Sequence, residues 1–286
     1  MMLKIALPNK GRLSEEIREL FHDAGLEVRA RGERALSASL GGQFEALFVR
    51  AQDIPEFVAD GAAHAGVTGW DLVSEAGRPV ELLRDLEFGR CRLVVAARED
   101  SGIATEADVV DGMRVASCFP RLTQAHFDQV GRSVTVVPVS GAAEIAPRLG
   151  IADLVVDLTS TGSTLRMNGL REVSTVLESS ARLVACQGND ADARQALDEL
   201  SRALGSVIAA RCRRYLMANV PKQELGRVRE VLPGLNGPTV VDVLDGGRFV
   251  AVHAVVLART LDATIRALKS LGCEGILVTR IERLMA

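Results

Sequence analysis

The segment richest in potential chemistry is Val155-Val156-Asp157-Leu158-Thr159-Ser160-Thr161-Gly162-Ser163-Thr164-Leu165. An apolar strand delivers an acid, then a run of hydroxyls around one glycine, and a helical turn is expected to follow. A phosphomonoester needs several donors converging from one side. Backbone N–H groups of such a turn supply them, and glycine lets the backbone approach closely. Thr161, Ser163 and Thr164 add hydroxyl donors, and Asp157 is suited to accept from ribose hydroxyls beside the phosphate. The same composition also fits a polar turn that caps a helix, although the hydroxyls outnumber what one cap requires. No Gly-Lys-Ser/Thr occurs, so the loop is not a Walker A motif.

Cations come from elsewhere. Pro8-Asn9-Lys10-Gly11-Arg12-Leu13-Ser14 joins a first strand to a first helix. In an open α/β sheet, ligands sit beyond the carboxyl ends of strands. Lys10 would bring a point charge there and Arg12 a fork suited to phosphate; a solvated loop with two surface cations is the plainer alternative. Arg50-Ala51-Gln52-Asp53 places another arginine at a strand end, with Asp53 as a helix cap. Gly66-Val67-Thr68-Gly69-Trp70-Asp71 has glycines that admit either a ligand or a tight turn. Glu144 falls in the first turn of an expected helix, where an acid is favoured anyway. His22, His64, His126 and His253 show no metal-binding spacing and read as structural or exposed.

These segments need strands and helices to hold them. Leu3 to Leu7 reads as a strand. Ser14 reads as the N-cap of a helix whose stripe is Ile17, Leu20, Phe21 and Ala24, and Gly25 ends it. Residues 35–40 and 44–50 around Gly41-Gly42 read as a hairpin. Asp53 is expected to cap a helix through Gly61, and 65–69 to form a strand ending in a loop. A second α/β region opens at Arg92, with strands at 113–117, 134–139 and 153–157 and helices at 121–130 and 142–149. Strands at 173–176 and 183–185 are expected to rejoin the first region, and 190–214 to be a connecting helix. The C-terminal stretch reads β-α-β-β-α-β: strand 215–220, helix 221–232, strands 240–244 and 249–257 around Asp245-Gly246-Gly247, helix 261–271, strand 275–281. That order is ferredoxin-like.

Bulk composition agrees with a multidomain α/β chain. It has 286 residues, 48% hydrophobic but only 3% aromatic, and a formal net charge of -3. Aliphatic cores of this kind suit buried parallel strands. Without a basic run or stacking aromatics, nucleic acid is not an expected partner. No apolar run reaches membrane-spanning length. Cys91, Cys118, Cys186, Cys212 and Cys273 are odd in number and widely spaced, which reads as reduced, mostly buried thiols of a cytoplasmic protein.

Taken in order, the fragments P-N-K-G-R-L, R-A-Q-D-I-P, G-V-T-G-W-D, G-A-A-E-I-A-P-R-L-G-I-A-D, V-D-L-T-S-T-G-S-T-L-R-M-N-G-L, L-P-G-L-N-G-P-T-V and L-G-C-E-G-I-L-V resemble the ATP phosphoribosyltransferase family of histidine biosynthesis, in its long form. The resemblance spans essentially the whole chain. It implies a two-lobed catalytic region like type II periplasmic binding proteins, followed by a ferredoxin-like regulatory domain. The lobes would be 1–90 with 176–210, and 91–175; the regulatory domain would be 211–286.

By this likeness the reaction joins ATP to phosphoribosyl pyrophosphate (PRPP) with Mg²⁺. Asp157, Thr159, Ser160, Thr161, Gly162, Ser163 and Thr164 would hold PRPP. Lys10, Gly11, Arg12, Arg50 and Asp71 would face ATP, with Lys10, Arg12 and Arg50 as the catalytic cations; the metal ligands are unassigned. Asn219, Leu235, Thr239 and Cys273 would line a pocket for inhibitory histidine, AMP would be a second inhibitor, and dimers would assemble into a hexamer. Three positions depart from the family's usual pattern: Ala51 replaces a proline, Arg121 an asparagine, and Asn219 stands where some relatives carry Asp. Two other readings fit parts of the pattern. A non-catalytic two-lobed sensor would not need Lys10, Arg12 and the T-G-S-T loop. A nucleobase phosphoribosyltransferase usually has two adjacent acids before its loop, where this chain has Asp157-Leu158.

Overall fold

The computed structural model describes residues 2–30, 35–243 and 247–285. The chain divides into two compact units, Met1–His22 with Leu26–Ser201, and Asp23–Gly25 with Arg202–Ala286.

In the larger unit the chain builds one sheet, leaves it for a second, and returns. The first pass runs β1 (Leu3–Pro8), α1 (Arg12–Asp23), β2 (Val28–Ala30), β3 (Ser37–Leu40), β4 (Phe44–Val49), α2 (Ile54–Ala59), β5 (Ala65–Gly69), α3 (Trp70–Ala76) and β6 (Val80–Asp85). The second lobe takes β7 (Cys91–Arg98), β8 (Arg114–Ser117), α4 (Pro120–Gln129), β9 (Thr135–Pro138), β10 (Leu154–Thr159), α5 (Ser163–Met167) and β11 (Leu170–Ser179). Then β12 (Ala181–Cys186) re-enters the first sheet and α6 (Ala191–Arg211) follows.

The first sheet has the order β2-β3-β4-β1-β5-β12-β6 and the second β11-β7-β10-β8-β9. In each, one strand arriving from the other lobe runs antiparallel between two neighbours: β12 between β5 and β6, and β7 between β10 and β11. This is the two-lobed α/β arrangement of type II periplasmic binding proteins. Apolar runs make the central strands: Ile5, Ala6 and Leu7 in β1 and Leu154, Val155 and Val156 in β10 are buried. Each large side chain buried this way contributes roughly 1.5–3 kcal/mol.

The two crossings between lobes are tied together. Ala181 N–H donates to Phe88 O (2.9 Å) and Leu86 N–H to Ala181 O (2.9 Å). Ser180 Oγ donates to Asp85 Oδ1 (2.8 Å), Asp85 also pairs with Arg182, and Trp70 N–H donates to Ser180 O (3.0 Å).

Several local expectations change. Gly11, at φ +84°, turns the chain so that α1 starts at Arg12; Ser14 is not its N-cap but sits buried in the first turn, its N–H on Gly11 O. Asp53 is the last residue of a 3-10 turn (Ala51–Asp53) and makes no side-chain capping bond to α2, which ends at Ala59. No loop follows β5, because α3 begins at once. The helix expected at 142–149 is only a 3-10 turn, Ala143–Ile145: Ala142 has φ +48° and Pro147 lacks an N–H. Residues 173–176 do not return to the first lobe. They belong to β11, which stays antiparallel to β7, so the second lobe runs through Ser179 rather than 175. Strands β2 and β6 were not expected. The cysteines are free, but only Cys273 is buried; Cys212 is exposed and the others are half-buried.

The smaller unit continues with β13 (Arg213–Pro221), α7 (Leu225–Val231), β14 (Thr239–Asp242), β15 (Phe249–Leu257), α8 (Leu261–Ser270) and β16 (Glu274–Arg280). Its sheet order β14-β15-β13-β16 is antiparallel throughout, which is the expected ferredoxin-like βαββαβ unit. Leu216, Val220 and Val252 of the sheet bury against Val228 of α7 and Leu268 of α8. A 3-10 turn, Lys222–Glu224, precedes α7, so that helix starts later than Pro221. Leu244, Asp245 and Gly246 of the expected strand and turn lie outside the described residues.

The glycine at 66 proves to be a packing device. A Cβ there would meet Ile54 Cγ2 at 2.5 Å and Val58 Cγ2 at 3.0 Å, because α2 lies directly on β5. Gly66→Ala should destabilise the larger unit by about 1–3 kcal/mol, the usual cost of overpacking, as measured by urea unfolding.

Candidate functional site

Strands β4, β1 and β5 lie side by side and parallel, with Pro8 opposite Val49. The segments that leave their carboxyl ends therefore emerge at one edge. Asn9 N–H donates to Val49 O (2.8 Å) and fixes the first of these loops. Lys10, Arg12 and Arg50 are all exposed at this edge. Arg12 Nε donates to Glu16 Oε1 (2.6 Å) with its side chain 85% exposed, an ion pair of little energetic weight that a phosphate could replace. Around Gly11 the space is open.

Asp71 follows β5 but is buried. Ser179 Oγ donates to Asp71 Oδ1 (2.5 Å), and Asp71 N–H donates to Ser179 Oγ (3.0 Å). Burial pushes this carboxyl above its ordinary value while the Ser179 bond opposes the rise. Asp71 thus ties α3 to the end of β11 while still lining the cavity.

In the second lobe, β10 ends at Thr159 and the loop turns into α5. Thr159 is buried and its Oγ1 accepts the Gly162 N–H (2.8 Å), which closes the turn from inside. Gly162 has φ +72°, and a Cβ there would meet Glu172 Oε1 at 2.8 Å and Arg166 Nη1 at 2.9 Å. No other residue fits without strain. Arg166 Nη2 donates to Thr161 O (3.0 Å), and Thr161 Oγ1 lies 3.0 Å from Ser163 Oγ. Ser160, Thr161, Ser163 and Thr164 are exposed. The loop is held rigidly by its buried members and presents hydroxyls with its exposed ones.

One cavity of about 620 Å³ joins the two halves: Arg12, Asp71, Thr159 and Ser160 all line it. An adjoining cavity of about 370 Å³ shares Ser160 and is lined by Arg90, Arg92 and Arg182. Arg92 pairs with Glu172 (2.8 Å) and Arg182 with Asp85. Burial lowers the Arg182 guanidinium below its ordinary value. Sequence reasoning missed these three arginines. The Arg90-Cys91-Arg92 alternation beside the crossing was the available signal.

It also passed over Glu144 as a partner. Burial pushes the Asp157 carboxyl above its ordinary range; the bond from Leu158 N–H (2.7 Å) opposes this, and Glu144 beside it adds to the rise. The thiol of Cys118 is raised by burial and then by both acids. Glu144, 13 positions earlier in the sequence, is thus the acid whose charge reaches Asp157. Among the described residues no three or more His, Cys, Asp or Glu side chains converge as a metal cluster.

In the ferredoxin-like unit, Asn219, Leu235 and Thr239 are exposed, and a Cβ on Gly275 would meet Asn219 Nδ2 at 2.9 Å. Cys273 is buried in the core of that unit.

A family model described as ATP phosphoribosyltransferase matches residues 50–206, and one described as the HisG C-terminal domain matches 210–283. The chain belongs to the ATP phosphoribosyltransferase family. An ATP phosphoribosyltransferase of Gemmatimonas aurantiaca is 67% identical over 99% of this chain and all of its own length. That of Haloarcula marismortui is 50% identical, again over 99% of this chain and all of its own. Among solved structures, the ATP phosphoribosyl transferase (HisG:HisZ) complex from Thermotoga maritima is similar with a TM-score of 0.65 and 27% identity, covering 73% of this chain and 99% of that one. This chain is thus a phosphoribosyltransferase enzyme of histidine biosynthesis.

The raised acid at Asp157 has a stability consequence. A carboxyl lifted by the fold contributes stability below the ordinary carboxylate range and loses it as pH rises through its elevated value. Asp157→Asn should therefore melt higher than wild type at neutral pH. The advantage should vanish below about pH 4, where the unfolded acid is also protonated. Thermal unfolding across pH tests this.

Proposed function

We propose that this ATP phosphoribosyltransferase carries out its reaction, the condensation of ATP and PRPP to N1-(5-phosphoribosyl)-ATP and pyrophosphate that opens histidine biosynthesis, in the cavity shared by Arg12 and the 159–160 turn. The observation that carries this reading is that one cavity is lined both by Arg12, from the cationic edge of the first sheet, and by Thr159 and Ser160, which open the hydroxyl loop of the second; Lys10, Arg50 and residues 161–164 lie outside its lining. PRPP's 5′-phosphate is taken by the backbone and hydroxyls of Ser160, Thr161, Gly162, Ser163 and Thr164. Asp157, with Glu144 beside it, accepts from the ribose hydroxyls; these donors offset the repulsion between the two carboxyls.

Adenine N1 attacks ribose C1′, the C1′–O bond to pyrophosphate breaks, and its electron pair leaves with pyrophosphate. N1 carries no proton, so no strong general base is needed. The ring gains oxocarbenium character, as in other glycosyl transfers. Lys10, Arg12 and Arg50 neutralise the charge of ATP and of the departing pyrophosphate, and the two lobes hold the reactants together. Asp71 supports this edge from beneath, through Ser179.

Mg²⁺ is commonly held by one or two carboxylates together with substrate phosphates. The Asp157–Glu144 pair fits that role, and the ion would supply further charge neutralisation on pyrophosphate. We further read the exposed Asn219, Leu235 and Thr239 as the side that senses histidine, and take AMP as a competitor of the ATP site. Cys273 supports that side from the core. We assign the enzyme to the cytoplasm, as a homo-oligomer up to a hexamer; among the described residues no helix is long and apolar enough to cross a membrane.

Pyrophosphate release from ATP and PRPP is the assay. The Thr161→Val/Thr164→Val double variant should raise the PRPP KM by roughly 10- to 100-fold, the factor expected for lost bonds to a charged group. Arg12→Ala should lower kcat/KM by a similar factor. Unchanged PRPP kinetics in the loop variant would move the phosphate site elsewhere.

A further inference from the structure

We infer that Glu75 and Arg121 form a latch that sets the angle between the two lobes. Glu75 belongs to α3, in the first lobe; Arg121 belongs to α4, in the second. Glu75 Oε1 accepts the Arg121 N–H (2.9 Å) and Glu75 Oε2 accepts the Leu122 N–H (2.9 Å). In return Arg121 Nε donates to Glu75 O (2.8 Å), and Arg121 Nη2 donates to Ser74 O. The acid of one helix caps the amino end of the other, and the arginine of the second caps the carboxyl end of the first.

Both halves are electrostatically matched, since a carboxylate is favoured at a helix amino end and a guanidinium at a carboxyl end. Locally, α4 has no substitute. Its N-cap residue is Phe119, which makes no side-chain capping bond, and Pro120 occupies the first turn. The cap must come from across the cleft. Gly77 is shaped to admit the arginine: its φ is +62°, and a Cβ there would meet Arg121 Cζ at 2.8 Å. The other end of α3 is pinned at the crossing by Trp70 and Asp71, and Leu72 packs against the core of the second lobe. So α3 behaves as a strut, fixed at the hinge and latched to α4. Hydrogen bonds weaken steeply with misalignment, and a small rotation between the lobes would break the exchange.

The consequence for catalysis rests on the cleft reading above. If substrates span the lobes, the latch sets the distance between Arg12 and the 159–164 loop, which makes Glu75 a positioning residue. Three measurements on the full-length enzyme test this: hydrogen exchange at the Arg121 and Leu122 amides, radius of gyration by small-angle scattering, and steady-state kinetics. Glu75→Ala should speed exchange at both amides by about fivefold or more, the factor that loss of a helix cap represents. It should also enlarge the free enzyme and raise KM for ATP and PRPP together by a similar factor, with kcat changed less. Glu75→Gln, which keeps one acceptor, should fall between. Arg121→Ala, at an exposed side chain, removes the other half without threatening the fold and should move the same quantities in the same direction. Faster exchange with an unchanged radius in both Ala variants would reduce the pair to a local cap and overturn the latch. An enlarged radius with both KM values unchanged would uphold the latch and instead remove the substrates from the cleft.

Discussion

Everything at the candidate site depends on the place where the chain passes twice between the lobes. There Ser179 and Ser180 hold Asp71 and Asp85, the backbone of 86–88 pairs with Ala181, and Arg182 answers Asp85. Two short crossings would by themselves leave the lobes free to hinge. Tied to one another, they make a common floor from which β5, β7, β10 and β12 depart in fixed directions. Arg12 of the first lobe and Thr159 and Ser160 of the second can then line one cavity.

Charge is distributed unevenly around that floor. Lys10, Arg12 and Arg50 stand exposed, and among the described residues Arg12 alone of the three has an ion-pair partner, a weak one, which would suit groups that release and rebind highly charged ligands. The acids behave oppositely. Asp71 and Asp157 are withdrawn from water and both are pushed toward protonation by that withdrawal. At Asp71 a serine answers the cost, so the acid acts as a strut. At Asp157 the neighbour is a second acid, and the unmet need is for donors or a cation. If Asp157 binds substrate as proposed, that desolvation sacrifices stability of the free protein for affinity.

The hydroxyl loop shows how rigidity and availability are divided within six residues. Thr159 turns inward and binds Gly162, whose left-handed backbone aims the following hydroxyls outward. A loop with every hydroxyl exposed would lose conformational entropy on binding. One with every hydroxyl satisfied internally would have nothing to offer a phosphate.

Much of this was legible in the order of residues. Apolar runs bounded by turn signals gave most strands of all three sheets, and the β-α-β-β-α-β order of the last unit was read from periodicity. The acid-hydroxyl-glycine loop and the Lys10–Arg12 segment stood out by residue type as candidates for phosphate contact, and the ordered fragments identified the family. These are local properties, fixed by side-chain size, φ preference and charge within a few residues. Tertiary structure alone decided the rest. The pairing of Glu144 with Asp157, the arginines gathered at the crossing, the inward turn of Asp71 and the exchange between Glu75 and Arg121 each join residues distant in the chain. So does the assignment of β11 to the second lobe, which follows from pairing with β7 rather than from its own composition. No spacing rule encodes such meetings, because they are set by which strands share an edge and where the chain crosses between sheets.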